Sequence, residues 1–575
     1  MNGMSFRRAL PWVILAGILV VYVGSILRMH PENFFGMTQD DTIYFSSAKA
    51  LADGRGYILP SIPGTPPATK YPVLYPWILS WVWRLNPSFP ANLSDAIRIT
   101  IAFGVIFVAL TFYFLRSLKG LSDPEALLLT AVCALHPVVL GYSGGVLTDI
   151  PFSAVALATM VIAEKALARN AKVSTAVAGG ILAGLSMLLR ILGVPIAAGI
   201  FIAGITRRAW RQTALWSLSV APFFGWLVWR TLTSARAIPP AGMAVAGPGF
   251  QQTWTFYTSY IGMRKLSMVS GHVVGEMLLS QFIYLLAHVP GLFIGSMFGE
   301  HIVPWFIGTL VVLGTIVFGL VRQARLGGWQ PIHFALPFYL AVILMWDYPE
   351  IKRFLIPFLP LIAASLWYGG KEIARELASA LRAPRPMFER AFAAVLGVVA
   401  IALALGMAWN FAFSGRAEMM TTSKDAASLL VEKKEAYEWL RANTPPDARV
   451  VAGEDVALYL YTGRQAMSHL TLVPAGAYDA NQLREDLDHM TDVARAIGAG
   501  YWMASPDDSS KQRKAAKPPL EKRFAEIEGV LPELFRSSGG RVKIYGTNCI
   551  LHPEEAACAV ADRALFPEAD FSSSH

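Results

Sequence analysis

Charge is scarce in this chain of 575 residues: Asp, Glu, Lys and Arg together make up 15%, against 54% hydrophobic residues. A soluble globule usually carries about a quarter charged residues, so a water-soluble enzyme is excluded. Cysteine is scarcer still. Cys133 lies in an apolar run, and Cys549 and Cys558 sit near the C-terminus, a spacing that resembles no metal site. If that end lies outside the cytoplasm, a short-loop disulfide between Cys549 and Cys558 and two separate thiols are both open. No internal repeat is evident. The net charge of +9 does not indicate a nucleic-acid partner, because Lys and Arg gather in short loops between apolar runs, which is the positive-inside pattern.

What the chain has in abundance is apolar runs near the roughly 20 residues that cross a bilayer, with sixteen Trp and nineteen Tyr to populate the interfaces. Arg7 and Arg8 precede an apolar run from Ala9 to Leu27 that ends in Arg28-Met29-His30. This is too long for a cleaved signal peptide and reads as a retained first span entering from the cytoplasm. Counting onward gives spans near 9–28, 97–115, 125–142, 150–167, 174–189, 191–205, 213–231, 302–321, 331–346, 354–369 and 391–412. The expectation is about eleven crossings, N-terminus inside and C-terminus outside. The segments 71–85 and 276–297 are assigned to the interface or to re-entrant loops, since a crossing at either one would turn basic loops outward.

This count places Asp40-Asp41, Asp149, Arg190 and Arg353 on one membrane face, and ionisable groups gathered at one boundary read as a site. Each also has a plain structural reading. Asp40 and Asp41 would cap a helix beginning at Thr42, and Asp149 would cap the fourth span, with Pro151 in its first turn. Arg190, inside Leu188-Leu189-Arg190-Ile191-Leu192, costs a few kcal/mol unless it is paired or snorkels to the surface. A phosphate held by its guanidinium fork would offset that cost. His136, beside Pro137, reads as a satisfied membrane histidine. His288 and Glu300-His301 fall on the outer side, where a divalent ion would be held by Asp41 and His301.

Beyond Ser414 the composition becomes that of a soluble domain. The division expected is a membrane-embedded part, 1–414, with outer loops 29–96 and 232–300, followed by an extracytoplasmic α/β domain, 415–575. In that domain 435–443 and 483–497 read as helices, 449–452, 501–504 and 542–545 as strands, and 455–462 as a helix or strand. Residues 511–522 read as a solvated loop.

Three blocks in order carry a family resemblance. The first is Asp40-Asp41 in an outer loop, followed by a helix closed by Gly54-Arg55-Gly56-Tyr57, then Lys70-Tyr71-Pro72 before Leu74-Tyr75-Pro76. The second is Leu147-Thr148-Asp149-Ile150-Pro151-Phe152, and the third runs from Lys352-Arg353-Phe354 to Pro360. Over roughly 5–415 the chain resembles the GT-C superfamily of membrane glycosyltransferases, of the protein O-mannosyltransferase and lipid A aminoarabinose transferase type. The resemblance implies a polytopic α-helical enzyme of a bacterial inner membrane that transfers a sugar, with inversion, from a polyprenyl-phosphate donor to an extracytoplasmic acceptor: a glycolipid, a wall polymer or a protein. It implies Asp40 as general base, with Asp41 and Asp149 organising the acceptor or a divalent metal ion. Lys70, Arg190 and Arg353 would hold the donor phosphate, and Tyr71 would line the pocket. A transporter or flippase would show repeats and mid-bilayer polar groups. A sensor that uses its spans only as an anchor would need fewer of them.

Overall fold

The computed structural model describes residues 2–36, 38–168, 170–234, 248–258, 271–294, 302–345, 351–382, 384–414, 424–469, 480–508 and 517–552. The chain divides into two compact units, neither continuous in sequence. The first comprises Met1–Asn33, Ser94–Leu227 and Gly271–Thr421, and the second Phe34–Leu93, Val228–Ser270 and Thr422–His575.

The first unit is helical. Four described helices, Ala9–Arg28, Leu93–Ser117, Phe306–Gly327 and Ala391–Trp409, are long and apolar enough to cross a bilayer. Exposed Trp12, Val20, Val311, Val395 and Val398 give these helices outer faces suited to hydrocarbon rather than water. Length and apolarity alone do not reach the eleven crossings expected: Val173–Leu189, Gly193–Thr206, Leu278–Phe293 and Pro331–Leu344 are shorter apolar helices. The continuous span expected over 125–142 is instead two helices, Asp123–Ala134 and Pro137–Ser143, bent by 58°. The cause is local, because Pro137 has no N–H to give and holds His136 out of the helical region. His136 accepts the Val138 N–H at 3.2 Å on Nδ1, while its Nε2 lies 2.7 Å from the Leu292 carbonyl. It is thus the satisfied membrane histidine expected from its setting.

With no hydrophobic drive between lipid-bathed helices, close packing of small residues does much of the work. The helices Ile302–Gly327 and Leu359–Ala380 cross at Gly319 and Gly369. A Cβ on Gly319 would collide with the Ser365 carbonyl, and one on Gly369 with the Thr315 carbonyl. Both neighbours are backbone and cannot step aside. Gly319→Ala is therefore expected to destabilise the protein by about 1–3 kcal/mol through overpacking, read as a lower melting temperature of the purified protein.

The second unit holds a five-stranded sheet in the order β2-β1-β3-β5-β4, where β1 is Arg449–Ala452, β2 Gln465–Met467, β3 Tyr501–Ala504, β4 Glu533–Arg536 and β5 Lys543–Gly546. Strands β2, β1 and β3 run parallel, and β5 and β4 are added antiparallel. Val450, Ala452, Met503 and Ile544 pack with Tyr437 and Leu440 from the helix Lys424–Asn443. Asp455–Thr462 is a helix, ended by Gly463 in the left-handed region at φ 77°, as glycine permits. Residues 517–522, expected to belong to a solvated loop, instead open the helix Lys517–Glu528, in which Leu520 and Ile527 are both buried; residues 509–516 lie outside the described ones. Cys133 is a free, buried thiol and Cys549 is disulfide-bonded; Cys558 lies outside the described residues.

The same unit contains the helix Gln39–Ala52 and the 12-residue helix Leu74–Leu85. At 1.5 Å per residue the latter is too short to cross a bilayer alone. Its Trp77 and Trp81 are exposed.

Candidate active site

In the first unit three elements deliver charge to one place. Asp149 opens the helix Asp149–Ala166, Arg190 ends the helix Val173–Leu189 in an extended conformation, and Arg353 lies in the short helix Ile351–Phe354. Arg190 donates to Asp149 Oδ1, and Arg353 Nε lies 4.0 Å from the same oxygen. Asp149 is 1% exposed, and its Oδ2 has no hydrogen-bond partner among the described residues. Both guanidinium carbons lie 5.1 Å from the centre of the Phe354 ring, and the Phe354 carbonyl accepts the Tyr339 hydroxyl at 2.7 Å. Two guanidiniums thus gather about one buried carboxylate, and the planar fork of each is suited to an oxyanion. The capping reading of Asp149 does not hold. Thr148 is the N-cap, and Asp149 is the first helical residue. Arg190 is ion-paired rather than reaching for the surface.

In the second unit Asp40 and Asp41 sit inside the first turn of Gln39–Ala52, with Thr38 at the N-cap. The helix begins earlier than the sequence pattern suggested, so neither aspartate caps it, although both profit from the dipole at that end. Tyr71 donates its hydroxyl to Asp40 Oδ1 at 2.5 Å. Asp41 is buried and accepts the backbone N–H of Gly36 at 3.0 Å and of Thr42 at 2.7 Å. Burial pushes its carboxyl well above the usual range, against those two bonds, with Glu454 and Asp40 pushing the same way as burial. Lys70, 7% exposed, lays its ammonium over the ring of Phe256, with Tyr71 5.4 Å away. A narrow cleft is lined by Ile43, Tyr57, Leu59, Lys70, Tyr71 and Tyr257. Tyr57 braces it, donating to the Tyr71 carbonyl at 2.9 Å.

The residues expected from sequence thus form two sets: Asp149, Arg190 and Arg353 in the first unit, and Asp40, Asp41, Lys70 and Tyr71 in the second. His301 lies outside the described residues. Among the described residues no three His, Cys, Asp or Glu side chains group as a metal site, and Asp41 spends both oxygens on backbone donors.

Sequence reasoning gave no site role to Phe354, Tyr339, Phe256, Tyr257 or Asp455. Tyr257 donates to Asp455 at 2.7 Å and 2.6 Å and accepts from Gln39 at 2.7 Å. No sequence signal marks Asp455, since one aspartate at a helix start is ordinary. Burial raises its carboxyl to about 7, while bonds from Tyr257, Val456 and Ser468 pull it down and Glu454 adds to the rise. A folded-state value raised above the ordinary 3.8 means that the folded chain favours the proton. The stability contributed is complete below about 4 and is lost as pH rises through about 7. Thermal unfolding between pH 4 and 8 should therefore show a fall in stability of the wild type that Asp455→Asn flattens.

The chain shares its fold with solved structures of the GT-C type. No family model and no curated protein matches the chain. Among solved structures it is similar to ArnT from Cupriavidus metallidurans, in the apo state and bound to undecaprenyl phosphate. Identity to each is 14%, TM-score 0.50, and the match covers 92% of this chain and 98% of that one. It is also similar to the archaeal oligosaccharyltransferase AglB from Archaeoglobus fulgidus in complex with an inhibitory peptide and a dolichol-phosphate, at 15% identity and TM-score 0.53, covering 94% of this chain and 74% of that one. A structure of the A. fulgidus oligosaccharyltransferase with Zn and sulfate matches at 14% identity and TM-score 0.52, covering 91% and 72%.

Proposed function

We propose that this protein is an integral-membrane glycosyltransferase that moves a sugar from a polyprenyl-phosphate donor to an acceptor hydroxyl or similar nucleophile on the extracytoplasmic side of a bacterial inner membrane. The observation that carries the reading is the buried Asp149–Arg190–Arg353 cluster, two guanidiniums about one carboxylate, in a chain of the same fold as a structure bound to undecaprenyl phosphate. An anion held there would be charge-assisted by two guanidiniums, while the lipid tail of a polyprenyl phosphate would stay among apolar helices.

In this reading the acceptor oxygen attacks the anomeric carbon and its proton passes to Asp40, which Tyr71 orients through its hydroxyl. The bond from anomeric carbon to phosphate oxygen breaks, and its electron pair leaves on the polyprenyl phosphate. Arg190 and Arg353 stabilise the charge that develops there. A single displacement inverts the anomeric centre. Asp149 holds the two arginines at their spacing, Asp41 holds the turn from Gly36 to Thr42, and Lys70 adds a second cation source for the headgroup. Proteoliposomes supplied with undecaprenyl-phosphate-linked radiolabelled monosaccharides and envelope acceptors test the reading. Labelled acceptor formed in step with released undecaprenyl phosphate is the expected result. Movement of intact donor across the bilayer without transfer would sink it and favour a flippase.

A further inference from the structure

The helix Pro248–Thr258 ties the first loop to the C-terminal sheet inside the second unit. At its C-terminal end Tyr257 stands in the middle of a directional chain. The Gln39 amide donates to the Tyr257 hydroxyl at 2.7 Å, and that hydroxyl donates to Asp455 at 2.7 Å and 2.6 Å. Asp455 is anchored in turn by the backbone N–H groups of Val456, at 2.8 Å, and Ser468, at 2.8 Å. Neighbouring residues of the helix repeat the attachment on both sides. Thr258 accepts from Thr69 at 2.5 Å, Phe256 lies beneath the Lys70 ammonium, and Thr253 lies 2.7 Å from His489. Tyr257 and Asp455 are fully buried. Burying a tyrosine hydroxyl and a carboxylate costs free energy that pure packing would not demand. Gln39 is the first residue of the helix whose next residue is Asp40.

We propose that Tyr257 and Asp455 are positioning residues for Asp40: through Gln39 they lock the first turn of the Gln39–Ala52 helix, so that the C-terminal domain sets the aim of the base. This inference rests on the reading of Asp40 as general base. A fixed first turn matters because small misplacements of a catalytic group cost large factors in rate. The chain has a polarity that enforces the fixation. While Asp455 is ionised, Tyr257 must donate to it, and its lone pair is then the only partner it can offer the Gln39 amide.

The full-length protein in lipid nanodiscs tests this with Tyr257→Phe, Asp455→Asn, their combination, and Gln39→Ala, which breaks the chain at its far end and leaves the C-terminal domain untouched. The probe is whichever undecaprenyl-phosphate-linked monosaccharide the wild type turns over. Each single variant is expected to lower kcat by about five- to tenfold, the scale of one lost hydrogen bond, with KM for the donor unchanged. The double variant should be no worse than either single, because a chain is broken only once. Amide exchange at residues 40–45 should quicken while β1 and β3 keep their protection. Unchanged kcat, additive losses, or quickened exchange throughout the sheet would overturn the inference. Asp40→Asn run in parallel separates the two failures. If it abolishes transfer while these variants do nothing, the base stands and the positioning role falls; if Asp40→Asn transfers normally, both fall.

Discussion

Replacing Asp40 with Asn is expected to lower kcat for sugar transfer by about 10²–10⁴-fold, the usual contribution of a general base, while binding of undecaprenyl phosphate is unchanged. The substitution is conservative in shape. The Asn carbonyl oxygen can still accept the Tyr71 hydroxyl, and the backbone N–H groups of Gly36 and Thr42 keep their bonds to Asp41. What disappears is the basic oxygen that takes the acceptor proton. The measurement is steady-state transfer in proteoliposomes alongside lipid binding on the same preparation. Normal turnover would remove Asp40 from the mechanism, and a parallel loss of lipid binding would make its role one of assembly.

Arg190→Gln should act on two quantities at once. The loss of one charge-assisted contact to phosphate is expected to weaken undecaprenyl phosphate binding by about 10–100-fold. The same change strands Asp149, 1% exposed, with Arg353 no closer than 4.0 Å, and breaking a buried pair costs about 3–5 kcal/mol. These effects separate in the double variant Arg190→Gln with Asp149→Asn. Neutralising the stranded carboxylate should restore thermal stability, but affinity for the lipid phosphate should stay low. If affinity returns with stability, the arginine is structural only. Arg190→Lys adds a check on geometry, since it keeps the charge and gives up the planar fork.

Much of the membrane part was legible in the chain itself. Runs such as 9–28 and 97–115 have one physical explanation, and the helices Ala9–Arg28 and Leu93–Ser117 are found there. The bend at His136-Pro137 had its signal too, since a proline inside an apolar run interrupts the hydrogen-bond ladder, yet whether it kinks a helix or splits it depends on the partners available to His136. The strands Arg449–Ala452 and Tyr501–Ala504 were readable as short apolar runs, and each buries three consecutive residues. The three-residue strand Gln465–Met467 was not, because so short a piece carries no period. The helix Lys517–Glu528 was hidden in a charged stretch, where two buried apolar residues sufficed to order it.

The candidate site divides in the same way. That Asp40, Asp149, Arg190 and Arg353 are candidates for chemistry was legible from residue type and place along the chain, because an ionisable group beside an apolar run is costly enough to need a reason. Which of them touch was decided only by tertiary structure. Sequence separations of 41 residues between Arg190 and Asp149, or 198 between Tyr257 and Asp455, leave no local trace, since pair contacts of that range are fixed by packing and not by propensity. Packing also turned Asp41 toward the backbone and drew 34–93, 228–270 and 422–575 into one compact unit.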